Sequence, residues 1–172
     1  MTGNRQSPVF KTVLCAVDFS PHSQAALYLA AGLTFAPGSL LVVLAVDNRA
    51  AGDSDEVLGV RRELDEFVRG VLPGPAGYRD AVRLEVRAGA AATTILATAG
   101  EVGAELIVAG SHGWGAFGRA LFGSTTTTLL RDTSIPLAII PPSHPEIISL
   151  GETRAVPHIG AATRMSADPA RP

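Results

Sequence analysis

Cysteine, lysine and tryptophan are nearly absent from this chain, which has one residue of each among 172. The single cysteine, Cys15, excludes an intramolecular disulfide. Its place within the apolar run KTVLCAV predicts a small, buried core residue. Because Lys11 is the only lysine, we expect any basic side chain that contacts a phosphate group to be an arginine.

Charged residues are also scarce, at 17% of the chain, and the formal net charge is −2. The sequence has neither the basic block that marks a nucleic-acid surface nor an acidic tail. Its apolar runs are far shorter than the ~20 residues that span a bilayer, and the opening MTGNRQSPVFK lacks the apolar core of a signal peptide. We therefore expect a cytoplasmic protein that contacts neither nucleic acid nor membrane.

Apolar runs alternate with segments of helical periodicity along most of the chain. Continuous runs rich in β-branched residues predict strands buried on both faces, whereas the alternation of apolar residues with arginine and glutamate in VRLEVR predicts a half-exposed strand at a sheet edge. The predicted strands are Thr12–Val17, Leu40–Val46, Val82–Arg87, Leu106–Ala109 and Leu137–Ile140. The predicted helices run from Pro21 to about Phe35, over the apolar face from Val57 to Val71, from Ala90 to Val102 and from Ser124 to Asp132.

This order of elements predicts one α/β domain over residues 10–142, with a doubly wound, five-stranded parallel sheet of order 3-2-1-4-5 and helices on both faces. A flexible N-terminus over residues 1–9 and a loose or disordered C-terminal tail over residues 143–172 are expected on either side of it. In such sheets a ligand binds beyond the carboxyl ends of the strands, where the winding direction reverses. That point lies between Asp18, after the first strand, and Gly110, after the fourth.

The stretch GSHGWGAFGRALFGS, from Gly110 to Ser124, fits several phosphate-binding patterns that use different glycines. A literal G-x-G-x-x-G at Gly113 follows a strand, as in the dinucleotide fingerprint. However, the next strand ends in Pro141-Pro142 and has no acidic residue for a ribose. The P-loop pattern also fails, because Arg119-Ala120 stands where Lys-[Ser/Thr] is required.

A third pattern, G-x2-G-x9-G-[S/T], is matched by Gly110, Gly113, Gly123 and Ser124. With this motif, the segments IVAGSHGWGAFGRALFGSTTTTLLRDTSIPLAII and VLCAVDFSPHSQAAL make the chain resemble the universal stress protein family over about residues 10–142. In that family the intact motif goes with ATP binding. The resemblance therefore implies a Rossmann-like fold of the adenine nucleotide alpha-hydrolase type, and a module that binds ATP, ADP or AMP, with Mg²⁺ beside ATP.

The resemblance also implies a set of contact residues. Asp18 would hold the ribose or the adenine edge, and the backbone of Val46 would face the adenine. The full set is Ala16, Val17 and Asp18 after the first strand, Val46 after the second, Ala109, Gly110, His112 and Gly113 after the fourth, and Gly123, Ser124, Thr125 and Thr126 at the start of the last helix. Gly123, Ser124 and Thr125 would bind phosphate oxygens, with Thr126 nearby, since free N–H groups at a helix N-terminus attract anions.

Three functions stay open at this point: a nucleotide-binding module acting in stress response or regulation, a slow ATPase or nucleotidyl-transfer enzyme of the same superfamily, and an interaction scaffold with an empty crevice. No catalytic residue and no metal-ligating set is predicted, since the sequence offers neither a P-loop lysine nor an evident carboxylate pair. A homodimer is expected through Leu137–Ile140, an apolar strand that would otherwise be an exposed sheet edge. Protein partners are not specified by the sequence.

Overall fold

The computed structural model describes residues 10–34, 37–72, 81–111 and 123–141. The strands are β1 (Thr12–Val17), β2 (Leu40–Val46), β3 (Val82–Arg87), β4 (Leu106–Gly110) and β5 (Leu137–Ile140). The helices are α1 (Pro21–Leu33), α2 (Ser54–Val71), α3 (Ala91–Glu101) and α4 (Ser124–Asp132). The segments for which a flexible N-terminus and a loose tail are expected, residues 1–9 and 143–172, lie outside the described residues.

The strands form one five-stranded parallel sheet of order β3-β2-β1-β4-β5, so the predicted fold class and strand order are confirmed. The three central strands are buried on both faces, because their apolar runs supply side chains to both sides of the sheet. β3 is an edge strand, as the alternation of its charges predicted.

Two apolar cores lie on opposite faces of the sheet, and each is closed by a pair of helices. On one face α1 and α2 pack over residues such as Val13, Cys15 and Val43, and on the other face α3 and α4 pack over Leu14 and Ile107. Successive residues of each strand belong to opposite cores, which is the period of two expected for a strand. By the same alternation, the side chains of residues that follow a strand are directed either toward α1 and α2 or toward α3 and α4.

The loop predicted after β2 contains one element that was missed, a 3₁₀ turn over Asn48–Ala51. Its N-terminus is capped by Asp47, whose side chain accepts a hydrogen bond from the backbone N–H of Arg49 at 2.9 Å. Because Asp, Asn and Arg in succession are typical of a polar loop, the sequence did not indicate the Asp47 cap. In the described part of the chain no helix is both long enough and apolar enough to cross a membrane.

Candidate functional site

The carboxyl ends of β1 and β4 lie side by side where the winding of the sheet reverses. Ala16 of β1 is paired in register with Ala109 of β4, so the residues that follow both strands lie at the same edge. This places Asp18 and Gly110 after neighbouring strands at the switch point between β1 and β4, the position that we call the crevice. Ala16, Val17 and Ala109, which the family resemblance implied as contacts, lie at this edge; Ala16 and Ala109 pack on the face that α3 and α4 cover, and Val17 packs on the opposite face.

Asp18 is exposed at the rim of this crevice, and one of its two carboxylate oxygens is hydrogen-bonded. Its Oδ1 atom accepts a hydrogen bond from the backbone N–H of Ser20 at 3.1 Å. Within the described parts of the chain, Ser20 is the only hydrogen-bond partner of this carboxylate. One carboxylate oxygen is therefore fixed by the turn, and the other can accept hydrogen bonds from hydroxyl groups of a ligand.

Gly110 ends β4 directly against the first turn of α1. A Cβ atom built on Gly110 would lie 2.9 Å from Cβ of His22 and 3.0 Å from its carbonyl carbon. Glycine is thus required here for the close approach of helix and strand, a packing role that the motif alone did not reveal. Beside it, Nδ1 of His22 lies 3.3 Å from Oγ of Ser111, a contact between residues 89 positions apart.

The N-terminus of α4 is bonded to the end of β4. The backbone N–H of Gly123 donates to the carbonyl of Ser111 at 3.0 Å, and the Thr126 hydroxyl donates to the carbonyl of Gly110 at 3.1 Å. Gly123 is the extended N-cap residue of the helix. The N–H groups of the first helical turn have no partner within the helix, and together with the helix dipole they form an anion-binding end. Hydrogen bonding thus fixes this end beside Gly110.

The four consecutive threonines at the start of α4 divide into different roles. Thr126 is 3% exposed, and its hydroxyl is already bonded to Gly110. The hydroxyls of Thr127 and Thr128 donate back to the carbonyls of Gly123 and Ser124, each at 3.0 Å. Ser124, which is exposed, and Thr125, which is half-buried, therefore carry the hydroxyls most open to a ligand.

The end of β2 lies beside that of β1 at the same edge of the sheet, and Val46 there is half-buried. The backbone N–H of Asp47 donates to the carbonyl of Arg87 at 2.9 Å, which holds this end against β3. The Arg49 guanidinium contacts Asp47 at 2.7 Å and Glu63 at 2.8 Å. The side-chain hydrogen bonds from Arg49 lower the pKa of both carboxyl groups. These two carboxylates compensate the charge of Arg49.

Two of the implied contact residues, His112 and Gly113, lie outside the described residues. The other implied residues are brought to the carboxyl edge of β1, β2 and β4 or to the start of α4. In the portion of the chain that the structure describes, no group of three or more His, Cys, Asp or Glu side chains is arranged to hold a metal ion.

Sequence reasoning missed Phe19, His22 and Ser111 as residues that shape the site. Phe19 adopts a left-handed backbone conformation, with φ 63°, directly after Asp18. Its ring packs edge-on against Phe67 of α2, with 5.5 Å between the ring centroids. The partners of all three residues are distant in sequence, so no local pattern marks them.

Comparisons with known proteins agree with this architecture. A model of the universal stress protein family matches residues 10–141 of the chain. A comparison with curated proteins gives no match. Among solved structures, the chain is similar to universal stress protein UspA from Lactobacillus plantarum, with 21% identity and a TM-score of 0.62 over 76% of this chain and 97% of that one.

Two further similar structures carry ligands. One is a universal stress protein in complex with cAMP, with 20% identity and a TM-score of 0.57 over 78% of this chain and 98% of the other. The second is the universal stress protein from Archaeoglobus fulgidus in complex with dAMP, with 20% identity and a TM-score of 0.54 over 78% of this chain and 99% of the other. At such identities these likenesses establish the fold, which is that of the adenine nucleotide alpha-hydrolase-like proteins.

Proposed function

The chain belongs to the universal stress protein family, and we propose that it binds an adenine nucleotide in the crevice between Asp18 and the first turn of α4. ATP is the nucleotide we expect, with ADP or AMP as weaker ligands that lack part of the phosphate chain. The wider role that we propose is regulatory, in a stress response, with nucleotide occupancy as the signal to partners. The carrying observation is the pair of hydrogen bonds that fixes the N-terminus of α4 against the end of β4.

That arrangement supports a phosphate site that contributes to micromolar affinity. Each hydrogen bond between an N–H group and a charged oxygen contributes about 1.5–3 kcal/mol net. Three such bonds from the free N–H groups of the first helical turn, which begins at Ser124, together with burial of adenine, reach the ~8 kcal/mol that corresponds to micromolar binding. The site needs no reorganisation of the helix end, because Gly123 is already bonded to Ser111.

The adenosine side of the proposal depends on Asp18 and Val46. A carboxylate with one free oxygen suits a ribose hydroxyl, and Asp18 follows Ala16 on the sheet face that α3 and α4 cover. It therefore lies on the same side as the start of α4. The complexes of two similar structures with cAMP and dAMP support an adenine nucleotide as the ligand class.

Isothermal titration calorimetry with ATP tests the proposal, with adenosine and AMP as shorter ligands and with Mg²⁺ present or absent. We expect micromolar ATP binding and weaker binding as phosphates are removed. Gly123→Val should abolish ATP binding by filling the space that the phosphates occupy. Gly32→Val is the matched control, because a Cβ atom there meets no atom within 4 Å. Absence of ATP binding by the wild-type chain at millimolar concentration would overturn the proposal.

A second pair of variants separates phosphate contacts from helix stability. Thr125→Val should weaken ATP binding about tenfold or more while leaving adenosine binding unchanged. Thr127→Val removes a hydroxyl that is bonded to the carbonyl of Gly123, and it should leave ATP binding near that of wild type. Equal effects of the two variants would mean that the hydroxyls act only on the helix.

We further propose that the chain forms a homodimer through the open edge of β5. The carbonyl of Pro136 accepts a hydrogen bond from the N–H group of Ile107 in β4 at 2.9 Å, and the carbonyl of Ile140 accepts one from Ser111, just after β4, at 2.8 Å. The alternation of a parallel ladder then directs the N–H groups of Leu137 and Ile139 toward the open edge. The opposite edge, β3, carries ion-paired charges that oppose strand addition.

Light scattering tests the dimer. We expect a dimeric mass for the wild type at micromolar concentration, and a monomeric mass for Ile139→Pro, which removes an edge-facing N–H group. Val82→Pro at the start of β3 is the control, because the ladder that pairs Arg87 with β2 directs the N–H group of Val82 toward the open edge. It should leave the mass dimeric. A monomeric wild type would contradict the proposal.

A further inference from the structure

We propose that Phe19 is a positioning residue that sets the direction of the Asp18 carboxylate through its left-handed backbone. The inference rests on the proposed nucleotide site and concerns how that site is held in shape. Phe19 itself faces away from the crevice, into the core that α1 and α2 cover. Its effect on a ligand would therefore pass through Asp18.

The backbone of Phe19 is the unusual feature, with φ at 63°. Within the described residues, every other position with positive φ is a glycine: Gly38, Gly89 and Gly103. A Cβ atom disfavours this conformation, and for a bulky residue it is an outlier. It persists only where the surrounding contacts fix it, and such positions cluster at binding sites.

The contacts that fix it come from α2. The Phe19 ring meets the Phe67 ring edge to face, with centroids 5.5 Å apart and an interplanar angle of 89°. Such geometry adds stability beyond the burial of apolar surface. One turn earlier on α2, Glu63 pairs with Arg49 at 2.8 Å, and Arg49 pairs with Asp47 after β2. One helix thus holds both loops that line the adenosine side of the crevice.

The turn that Phe19 controls is very short. Only Asp18, Phe19 and Ser20 separate β1 from α1. Ser20 is fixed as the N-cap of α1, because it is 2% exposed and its Oγ accepts the N–H of Ser23 at 3.2 Å. With both ends of the turn held, the left-handed Phe19 allows the Ser20 N–H group to reach Oδ1 of Asp18 at 3.1 Å. A right-handed or extended Phe19 would redirect the peptide and release this carboxylate.

Two substitutions at Phe19 separate the backbone effect from the loss of the ring. Phe19→Ala and Phe19→Gly both remove the ring, but only glycine adopts the left-handed conformation at little cost. We expect Phe19→Ala to weaken ATP binding about tenfold, the order set by the left-handed penalty for a residue with Cβ. Phe19→Gly should stay within about threefold of the wild type. A role in stability alone predicts that both variants lose the same core contact and behave alike.

Two further measurements identify Asp18 as the residue through which Phe19 acts. Asp18→Asn should weaken ATP binding in the wild-type background, but add little in the Phe19→Ala background. Hydrogen exchange of the Ser20 amide, measured without nucleotide, should be faster in Phe19→Ala than in Phe19→Gly, because that amide is protected by Asp18. Phe67→Leu, which removes the aromatic partner and keeps Phe19, should shift both readouts in the direction of Phe19→Ala.

The outcomes separate this inference from the proposed function. If the wild type binds no nucleotide, the proposed function fails, and Ser20 exchange alone decides the role of Phe19. Faster exchange in Phe19→Ala than in Phe19→Gly supports the positioning role with or without nucleotide. Equal exchange in the two variants overturns it, as does equal loss of ATP affinity in both.

Discussion

Gly110→Ala adds one methyl group at the point where β4 meets the first turn of α1. The added Cβ would lie 2.9 Å from His22 Cβ, 3.0 Å from its carbonyl carbon and 3.2 Å from its carbonyl oxygen. Two of these three atoms belong to the backbone of α1, so rotation of a side chain cannot relieve the overlap. Either the helix start or the end of β4 has to move.

Overpacking of this kind costs about 1–3 kcal/mol. We expect Gly110→Ala to lower the free energy of unfolding by about 2 kcal/mol, which corresponds to a fall in Tm of roughly 5–10 °C for a domain of this size. Urea titration followed by circular dichroism measures both the midpoint and the slope. ATP affinity should fall as well, because the carbonyl of Gly110 is bonded to Thr126 at the start of α4.

Gly59→Ala is the matched control for this substitution. Gly59 lies within α2, and a Cβ atom there meets nothing within 4 Å. Alanine is the better helix former, so this variant should gain about 0.5–1 kcal/mol. A stability of Gly110→Ala within ~0.5 kcal/mol of the wild type, the range of neutral surface changes, would refute the close approach of α1 and β4.

Three further outcomes follow from other contacts. Asp53→Ala removes the N-cap of α2, which accepts two first-turn N–H groups at 3.0 Å each, so urea titration should show a loss of about 1 kcal/mol. The pKa values of Asp47 and Glu63 are lowered in the folded state by Arg49. Their stabilising effect is therefore present at neutral pH and is lost as pH falls through these lowered values. Arg49→Met should flatten the acid side of the stability–pH curve, and an unchanged curve would refute the pairing. Burial raises the pKa of the Cys15 thiol, so iodoacetamide should label it in urea but not in the native protein; rapid native labelling would contradict its burial.

The fold could be predicted from the sequence because the order of apolar and charged residues along each strand indicates which of its faces are buried. Continuous apolar runs such as LLVVLAV predicted strands covered on both faces, and β2 is central in the sheet. The alternating VRLEVR predicted an edge, and β3 is one. Strand order followed from the restricted set of ways in which parallel strands and right-handed crossovers combine.

Element ends were less predictable, because they depend on caps. The first helix was expected to reach about Phe35, whereas α1 ends at Leu33 and Thr34 is its C-cap. The Thr34 hydroxyl donates to the carbonyl of Ala30 at 3.0 Å, which satisfies a group that the helix end leaves open. The 3₁₀ turn after Asp47 escaped prediction for a similar reason, since a side-chain cap and not an apolar period defines it.

The site could be predicted at the level of which segments meet, but not at the level of what each side chain does. Topology alone brings Asp18 and Gly110 to one edge. It cannot show that the close approach of α1 requires glycine at position 110, because that depends on the distance to His22. Likewise, no local pattern indicates that Phe19 takes the conformation usually left to glycine.

Thr126 illustrates why a motif and a set of ligand contacts are different statements. The resemblance implied that Thr126 lies near the phosphates, and it does lie in the first turn of α4. Its hydroxyl, however, is buried and bonded to the carbonyl of Gly110, which makes it a tie between helix and strand. An anion-binding helix end requires both N–H groups that face the ligand and contacts that keep the helix in place. Ser124 and Thr125 are suited to facing the ligand, and Thr126 is suited to keeping the helix in place. A single helical turn therefore meets both requirements.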